Sequence, residues 1–596
     1  MTAHEALKTY FGYDNFRPLQ EEIIQSVLDG RDTLALMPTG GGKSLCFQVP
    51  TMAMGGLCLV ITPLIALMKD QVENLRRRDI RAAAIYTGMT YEQQKVELDN
   101  CQWGPYHFLY VSPERMESEE FRERLARLPI CLIAVDEAHC ISQWGYDFRP
   151  SYLKIAEIRE VIRGERRKGE EARRQAVPIL ALTATATPDV VDDIQERLAF
   201  REKNVLRKSF LRQNLSYVVR QTNKKADEIV HILSKVPGSA IVYVRNRQRA
   251  QELAAYLNEK GLSADFYHAG LTSKERAAKQ EAWRAYPHPL PKGKGVTRVM
   301  VSTNAFGMGI DKPDVRMVIH HDLPDTIEAY FQEAGRAGRD EQRAFAVLLY
   351  DPAQDKAKAR KRVSDNYPPK EFVTDVYHKT CDFLGVGAGS GQGHTFMLPI
   401  NDLCRIMHLP ILQTYSALHL LTQAGYICFQ EEQEIQPRVK ILISQREMNE
   451  YGLSEQQYKL LELLMRKYSG IFTDLQYVHF DQLTTPITNS PSPMANRQSL
   501  DDLLVSLAQR HIITYIPHDT ANTLTFTRER QTDIYLPTTI YDNHRQQYIE
   551  KLKAMVEYAD NQLYCRSQLL LSYFGETDAT TCSTCDVCRQ KTKTQC

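Results

Sequence analysis

The chain has 596 residues, too many for one hydrophobic core, so roughly four domains are expected. Hydrophobic residues make up 43% and charged residues 25%, with 74 basic against 73 acidic side chains, so global charge does not announce a nucleic-acid partner. No apolar run approaches the roughly 20 residues needed to span a bilayer, and Met1 to Tyr10 carries no basic-then-apolar secretory pattern, so a cytoplasmic location is expected.

From about residue 30 to 200, short apolar runs alternate with longer amphipathic stretches. Residues 33–37, 57–62, 108–112, 131–135 and 179–183 read as buried strands, and such alternation implies βαβ units in a parallel sheet. A second series, 239–244, 264–267, 299–302, 317–320 and 344–350, predicts another sheet of the same class, joined to the first near 210–217. After Asp351 the texture changes. A basic helix-like stretch leads to a Gly-rich loop at 385–393, and residues 400–445 read as helix, helix and short strands. Residues 455–530 repeat that sense around a Pro/Ser/Thr-rich loop at 484–493, and both segments are compatible with small winged-helix units. Local basic runs at 76–78, 163–174 and 356–362 read as solvated helix faces before they read as phosphate-binding patches.

The first strand runs directly into Pro38-Thr39-Gly40-Gly41-Gly42-Lys43-Ser44 and then a predicted helix. Successive backbone N–H groups in such a loop, with the helix N-terminus behind them, wrap a triphosphate. Glycines let the backbone approach the phosphates, Lys43 reaches the β- and γ-phosphates, and the Ser44 hydroxyl suits Mg²⁺. The loop departs from the general phosphate-loop pattern at its first position, which is Met37. Asp136-Glu137-Ala138-His139 follows the apolar strand at 131–135, at the end of a parallel strand where ligands bind. Asp136 is expected to hold Mg²⁺ and Glu137 to polarise an attacking water. In the second series, Gln332-Glu333-Ala334-Gly335-Arg336-Ala337-Gly338-Arg339 places two arginines where they suit charge stabilisation on a transferring phosphoryl group.

Of the 13 cysteines, four scattered through the first 135 residues look like small core residues. Cys582, Cys585 and Cys588 form C-x-x-C-x-x-C, with Cys565 placed 17 residues earlier. Four thiolates at this spacing suit tetrahedral Zn²⁺ with no position left open for catalysis, and an iron–sulfur cluster is the rival.

These residues resemble superfamily-2 helicases, and several stretches resemble the RecQ family over about 5–350 and again over the last 35 or so residues. Phe16-Arg17-Pro18-Leu19-Gln20 is similar to the motif before the phosphate loop, where the resemblance implies that Gln20 reads adenine beside Arg17. Thr62-Pro63-Leu64-Ile65-Ala66-Leu67-Met68-Lys69-Asp70-Gln71 is similar to the motif associated with the DNA strand. Ser142-Gln143-Trp144-Gly145-Tyr146-Asp147-Phe148-Arg149-Pro150 resembles the family's aromatic-rich loop. In that loop Trp144, Tyr146 and Phe148 can stack on unpaired bases and Arg149 can add a phosphate or cation–π contact. Thr183-Ala184-Thr185-Ala186, Tyr267-His268-Ala269-Gly270 and the stretch from Ser302 to Asp311 match further motifs, with Asp311 assigned to the nucleotide and Gln332, Arg336 and Arg339 to catalysis.

The implied fold is α/β: two tandem RecA-like parallel-sheet motor domains at 1–207 and 208–352, winged-helix-like regions at 353–450 and 451–540, and a helical zinc-binding region at 541–596. The implied function is an ATP-dependent 3′–5′ DNA helicase in recombination and repair, with ATP, Mg²⁺ and Zn²⁺ as cofactors. Single-stranded and duplex DNA are the implied partners, with single-strand-binding and recombination proteins as candidates. One departure stands out: about 200 residues separate Tyr350 from Cys565, where the family places its zinc region directly after the second motor domain. An RNA helicase and a DNA-binding scaffold or strand annealer are the competing readings.

Overall fold

The computed structural model describes all residues except 39, 87, 88, 90, 143–148, 167–176, 288–295, 308–311, 436, 445, 446, 450, 469, 473–475, 479–482, 484–492, 511, 517, 518 and 596. The chain divides into two compact units, Met1–Ala359 with Gln547–Cys596, and Arg360–Gln546. No helix among the described residues is long and apolar enough to cross a membrane.

In the first unit, seven strands form one parallel sheet. They are β1 (Thr33–Leu36), β2 (Leu57–Ile61), β3 (Ala82–Ile85), β4 (Phe108–Val111), β5 (Ile130–Val135), β6 (Ile179–Thr183) and β7 (Val205–Arg207), in the order β3-β4-β2-β5-β6-β1-β7. The sequence Leu-Cys-Leu-Val-Ile of β2 is buried throughout, because helices cover both faces of a parallel sheet. Successive residues of one strand serve different cores: Leu59 and Ile61 enter one apolar cluster, Cys58 and Val60 the other.

Six more strands make a second parallel sheet: β8 (Leu215–Gln221), β9 (Ser239–Tyr243), β10 (Ala264–Tyr267), β11 (Val299–Ser302), β12 (Val315–His320) and β13 (Ala344–Tyr350), ordered β10-β11-β9-β12-β13-β8. The expected joint at 210–217 is therefore shorter, because β8 pairs with β13 from Leu215 onward and only residues 208–214 connect the two sheets. Strand β3, with the sequence Ala-Ala-Ala-Ile, also went unread, since alanines carry no β-branched signal.

The second unit has two small antiparallel sheets. Strands β14 (Thr395–Leu398), β15 (Ile427–Ile435) and β19 (Asp519–Phe526) form one, ordered β14-β19-β15. Strands β16 (Arg438–Ile441), β17 (Gln476–Tyr477) and β18 (Ile513–Ile516) form the other, ordered β17-β16-β18. The helices Ile400–Ile406 and Ile411–Gln423 share a core with the first sheet, through Leu403, Leu418, Leu421, Phe429, Leu524 and Phe526. The helices Glu455–Lys467 and Pro493–Gln509 pack with the second through Leu460, Leu464, Leu504, Val439 and Ile513. The expected division at 450/451 does not follow this pairing. β19 comes after the second sheet in sequence yet closes the first, so one helix-and-sheet module is inserted into the other. Register pairing over a long loop leaves no local trace in the sequence.

From Gln547 the chain returns to the first unit, where the helices Arg566–Tyr573 and Asp586–Gln595 frame the terminal cysteines.

Candidate functional site

β1 and β5 flank β6 in the first sheet, and the segments leaving the carboxyl ends of β1, β2 and β5 line one cleft. The loop after β1 leads into the helix Leu45–Met54. Gly40 and Gly42 each have φ of +79°, where an L side chain is strained. A Cβ on Gly42 would come within 2.4 Å of Gln20 Nε2, which donates to Gly42 O at 3.0 Å. Arg17 Nη1 donates to Gly40 O at 2.9 Å, and the Arg17 amide donates to Gln20 Oε1 at 2.9 Å. Gln20 and Arg17 thus brace the loop from behind.

Asp136 and Glu137 leave β5. Glu137 sits at φ 49° and ψ 46°, uncommon for a residue with a side chain, and its amide donates to Asp136 Oδ1 at 3.0 Å. Glu137 Oε1 lies 4.0 Å from Lys43 Nζ, and Oε2 lies 3.4 Å from His139 Nδ1. Burial alone would raise the Glu137 pKa, but the charges of Lys43, His139 and Arg336 outweigh it and hold the carboxyl below its ordinary range. Asp136 moves the other way. Burial first, then the negative charge of Glu137, push it up to about 6 against the pull of Lys43.

The second sheet contributes from the opposite wall. The helix Ile327–Ala334 carries Gln332 and ends at Gly335, directly before Arg336. Arg336 is 4% exposed and donates to Gly307 O, while its Nε and Glu137 Oε2 are buried without a hydrogen-bond partner among the described residues. A Cβ on Gly40 would lie 3.3 Å from Arg339 Cγ, so the phosphate-loop backbone touches the arginine turn. Arg17, Gln20, Gly40, Gly42, Lys43, Ser44, Asp136, Glu137, Gln332, Arg336 and Arg339 line one cleft of about 1040 Å³. Gly41 lies in the same loop, its amide donating to Pro38 O.

Thr39 and Asp311 lie outside the described residues, as do Trp144, Tyr146 and Phe148. Arg149 is described: its amide donates to Cys140 O at 2.8 Å, and its guanidinium is 3.9 Å from Glu114. Two features were not anticipated. His139 Nδ1 is 3.0 Å from Thr183 Oγ1, which ties the acidic motif to the end of β6. Arg284, from the helix Ser273–Ala285 of the second domain, reaches Asp70 of the first at 3.6 Å. The first was legible in principle from the histidine after the acidic pair; the second had no signal beyond one basic residue in a last helical turn.

The terminal cysteines form a separate centre. Cys565, Cys582, Cys585 and Cys588 bring their sulfurs within 4.8 Å of one another. Tetrahedral Zn²⁺ with bonds near 2.3 Å requires sulfurs about 3.8 Å apart, so the set fits. Backbone amides of Cys582, Cys585 and Cys588 donate to Cys565, Cys582 and Cys585 sulfurs at 3.3–3.4 Å, which stabilises thiolate charge.

Three family models match the chain: DEAD/DEAH box helicase at residues 17–194, helicase conserved C-terminal domain at 224–341, and RecQ zinc-binding at 521–589. A Haemophilus influenzae protein named ATP-dependent DNA helicase RecQ is 41% identical over 353 residues, covering 59% of this chain and 54% of that one. A Bacillus subtilis protein named probable ATP-dependent DNA helicase RecS is 40% identical over 353 residues, covering 58% of this chain and 66% of its own length. The match thus spans between about half and two thirds of these relatives.

Proposed function

The chain belongs to the RecQ family of superfamily-2 helicases, and on that premise we propose that it hydrolyses ATP to move 3′ to 5′ on single-stranded DNA and unwind duplex ahead of it, in recombination and repair. The observation that carries this reading is the meeting of Lys43 and Glu137 from one α/β domain with Arg336 from the other, on one cleft. A hydrolytic site split between two bodies converts nucleotide binding into closure and product release into opening.

In this reading Gln20 and Arg17 hold the adenine end, and the loop amides with Lys43 bind the phosphates. Ser44 and Asp136 are the residues placed to hold Mg²⁺, whose charge would neutralise the β- and γ-phosphate oxygens. Glu137, its pKa lowered chiefly by Lys43, orients and polarises the water. Arg336 and Arg339 stabilise the charge that develops on the transferring group, with Gln332 beside them. Trp144, Tyr146, Phe148 and Arg149 are assigned to unpaired bases and the DNA backbone, coupled to the site because Arg149 hydrogen-bonds Cys140, next to His139. Zn²⁺ on the four thiolates serves structure, and a cytoplasmic setting keeps those thiols reduced. Single-strand-binding and recombination proteins are the partner classes that suit this activity.

The test is ATP turnover by the intact chain with single-stranded DNA, with RNA and with neither. DNA should stimulate turnover strongly and RNA weakly, and a forked duplex with a 3′ tail should be unwound. Equal or greater stimulation by RNA would replace this reading with an RNA helicase. DNA binding without turnover would replace it with a scaffold.

A further inference from the structure

Segment 208–214, which connects the two parallel sheets, is gripped from both sides. On one side Glu576, just past the helix Arg566–Tyr573, accepts the Phe210 amide on Oε1 at 2.8 Å and the Ser209 hydroxyl on Oε2 at 2.7 Å. On the other side Arg212 donates to the carbonyls of Gly338 at 2.6 Å and Ala337 at 3.1 Å, within the turn that carries Arg336. Asn214 adds a bond to Gly338 O at 2.7 Å. Hydrogen bonds at both ends of this seven-residue segment therefore tie the zinc-bearing segment, through the connector backbone, to the arginine turn.

Packing follows the same route. Phe574 is fully buried between Phe210 of the connector and Phe331 of the arginine helix, with ring centroids 5.3 and 5.0 Å away. Gly575 lies against the first domain: a Cβ there would stand 2.9 Å from Pro188 Cγ, at the start of the helix Pro188–Arg197. Its φ of +84° also favours glycine. Residues 574–576 thus touch the first domain, the connector and the helix before Arg336 at once.

The structure assigns Glu576 as a positioning residue for ATP hydrolysis, which acts through the connector and Arg212 to set where the turn carrying Arg336 and Arg339 meets the phosphate loop. Glu576 is not itself among the residues that line the cleft. A carboxylate suits the role because it accepts from an amide and a hydroxyl together, fixing two consecutive connector residues with one side chain. Closure of the cleft then turns about a fixed point and not about a loose tether. The assignment rests on the proposed hydrolysis.

The experiment compares Glu576→Ala and Glu576→Gln in the full chain, reading kcat and KM for DNA-stimulated ATP turnover, zinc content, and hydrogen exchange of the Phe210 amide. Glu576→Ala should keep one zinc per chain and the parent KM, lose Phe210 protection, and lower kcat on the order of 10- to 100-fold, the size expected for misplacement of a remote group. Glu576→Gln still offers an acceptor to Phe210 and a donor to Ser209, so it should restore most of both readouts. Parent-like kcat in the alanine variant despite lost protection, or a loss confined to KM, overturns the assignment. If Glu576→Ala loses zinc, Arg212→Ala is read in its place, outside the zinc-bearing segment; parent-like kcat there overturns the assignment equally. Absence of turnover in the parent would instead remove the hydrolysis reading, while Phe210 exchange would still test the grip itself.

Discussion

In the proposed hydrolysis, Glu137 is the side chain that polarises the attacking water. It is buried, held in a left-handed backbone conformation, and its pKa is lowered against the pull of burial by Lys43, with His139 and Arg336 nearby. A carboxylate held below its ordinary range stays charged well below neutral pH. Glu137→Gln keeps the shape and removes the charge, so ATP should still bind while kcat falls roughly 10²–10⁴-fold. Equilibrium nucleotide binding read beside steady-state turnover checks this, and a variant that hydrolyses ATP like the parent would refute the role. Arg336→Ala should lower kcat by about 10³-fold or more, as removal of a charge-stabilising arginine does. Because Arg336 comes from the other domain, single-turnover hydrolysis should show the loss undiminished at saturating ATP.

Among elements, the amino-terminal edge of the first sheet is held by a buried carboxylate, far from the chemistry. Asp32, just before β1, accepts from Arg159 Nη2 at 2.7 and 2.9 Å, from the Ile179 amide of β6 at 3.0 Å, and from the Arg201 amide and Nε at 3.0 Å each. It fastens two neighbouring strands to a helix and to the segment before β7. Burial pushes its pKa up, but the Arg201, Ile179 and Arg159 bonds win and leave it below the ordinary carboxylate value. The folded state therefore binds the proton less readily than the unfolded chain. Its stabilisation is complete above about pH 4, the unfolded value, and is lost as pH falls through the lower folded value. Asp32→Asn leaves Arg159 buried without its counter-charge and should cost about 3–5 kcal/mol. Urea unfolding near pH 7 should report that loss in the first unit. Below pH 4 the difference between parent and variant should shrink, and a difference that grows there would contradict the argument.

At the scale of the whole molecule, the zinc-bearing segment and the second unit pose separate questions. Four sulfurs within 4.8 Å of one another make a closed structural site. Metal analysis should find about one zinc per chain, lost in Cys585→Ser together with thermal stability of the first unit. Iron with a visible absorbance band would instead assign the cluster alternative. In the second unit, β19 closes the sheet begun by β14 and β15, so β16, β17 and β18 with their helices form an insertion and not a following domain. We expect limited proteolysis to nick that insertion, leaving β14, β15 and β19 paired.

The sequence by itself determined what is local. Apolar runs specified nine of the parallel strands, because strands buried on both faces need no partner to look apolar, while β10, half-buried and carrying Asp265, was read from its place in the series. The glycines with Lys43, the acidic pair after β5 and the C-x-x-C-x-x-C spacing suggested their chemistry, because each of these patterns lies within one short segment. Only the tertiary structure decided what is joined across distance. It placed Arg339 against Gly40 and Arg336 on the cleft with Glu137, tied His139 to Thr183, put β8 at the edge of the second sheet, and gave β19 to the first small sheet and not the second. It also brought Glu576 onto the connector, more than three hundred residues earlier in the chain. A carboxylate after a helix looks the same in sequence whether it faces solvent or grips a hinge. Composition and periodicity report burial, and which distant segments share that burial is set by packing alone.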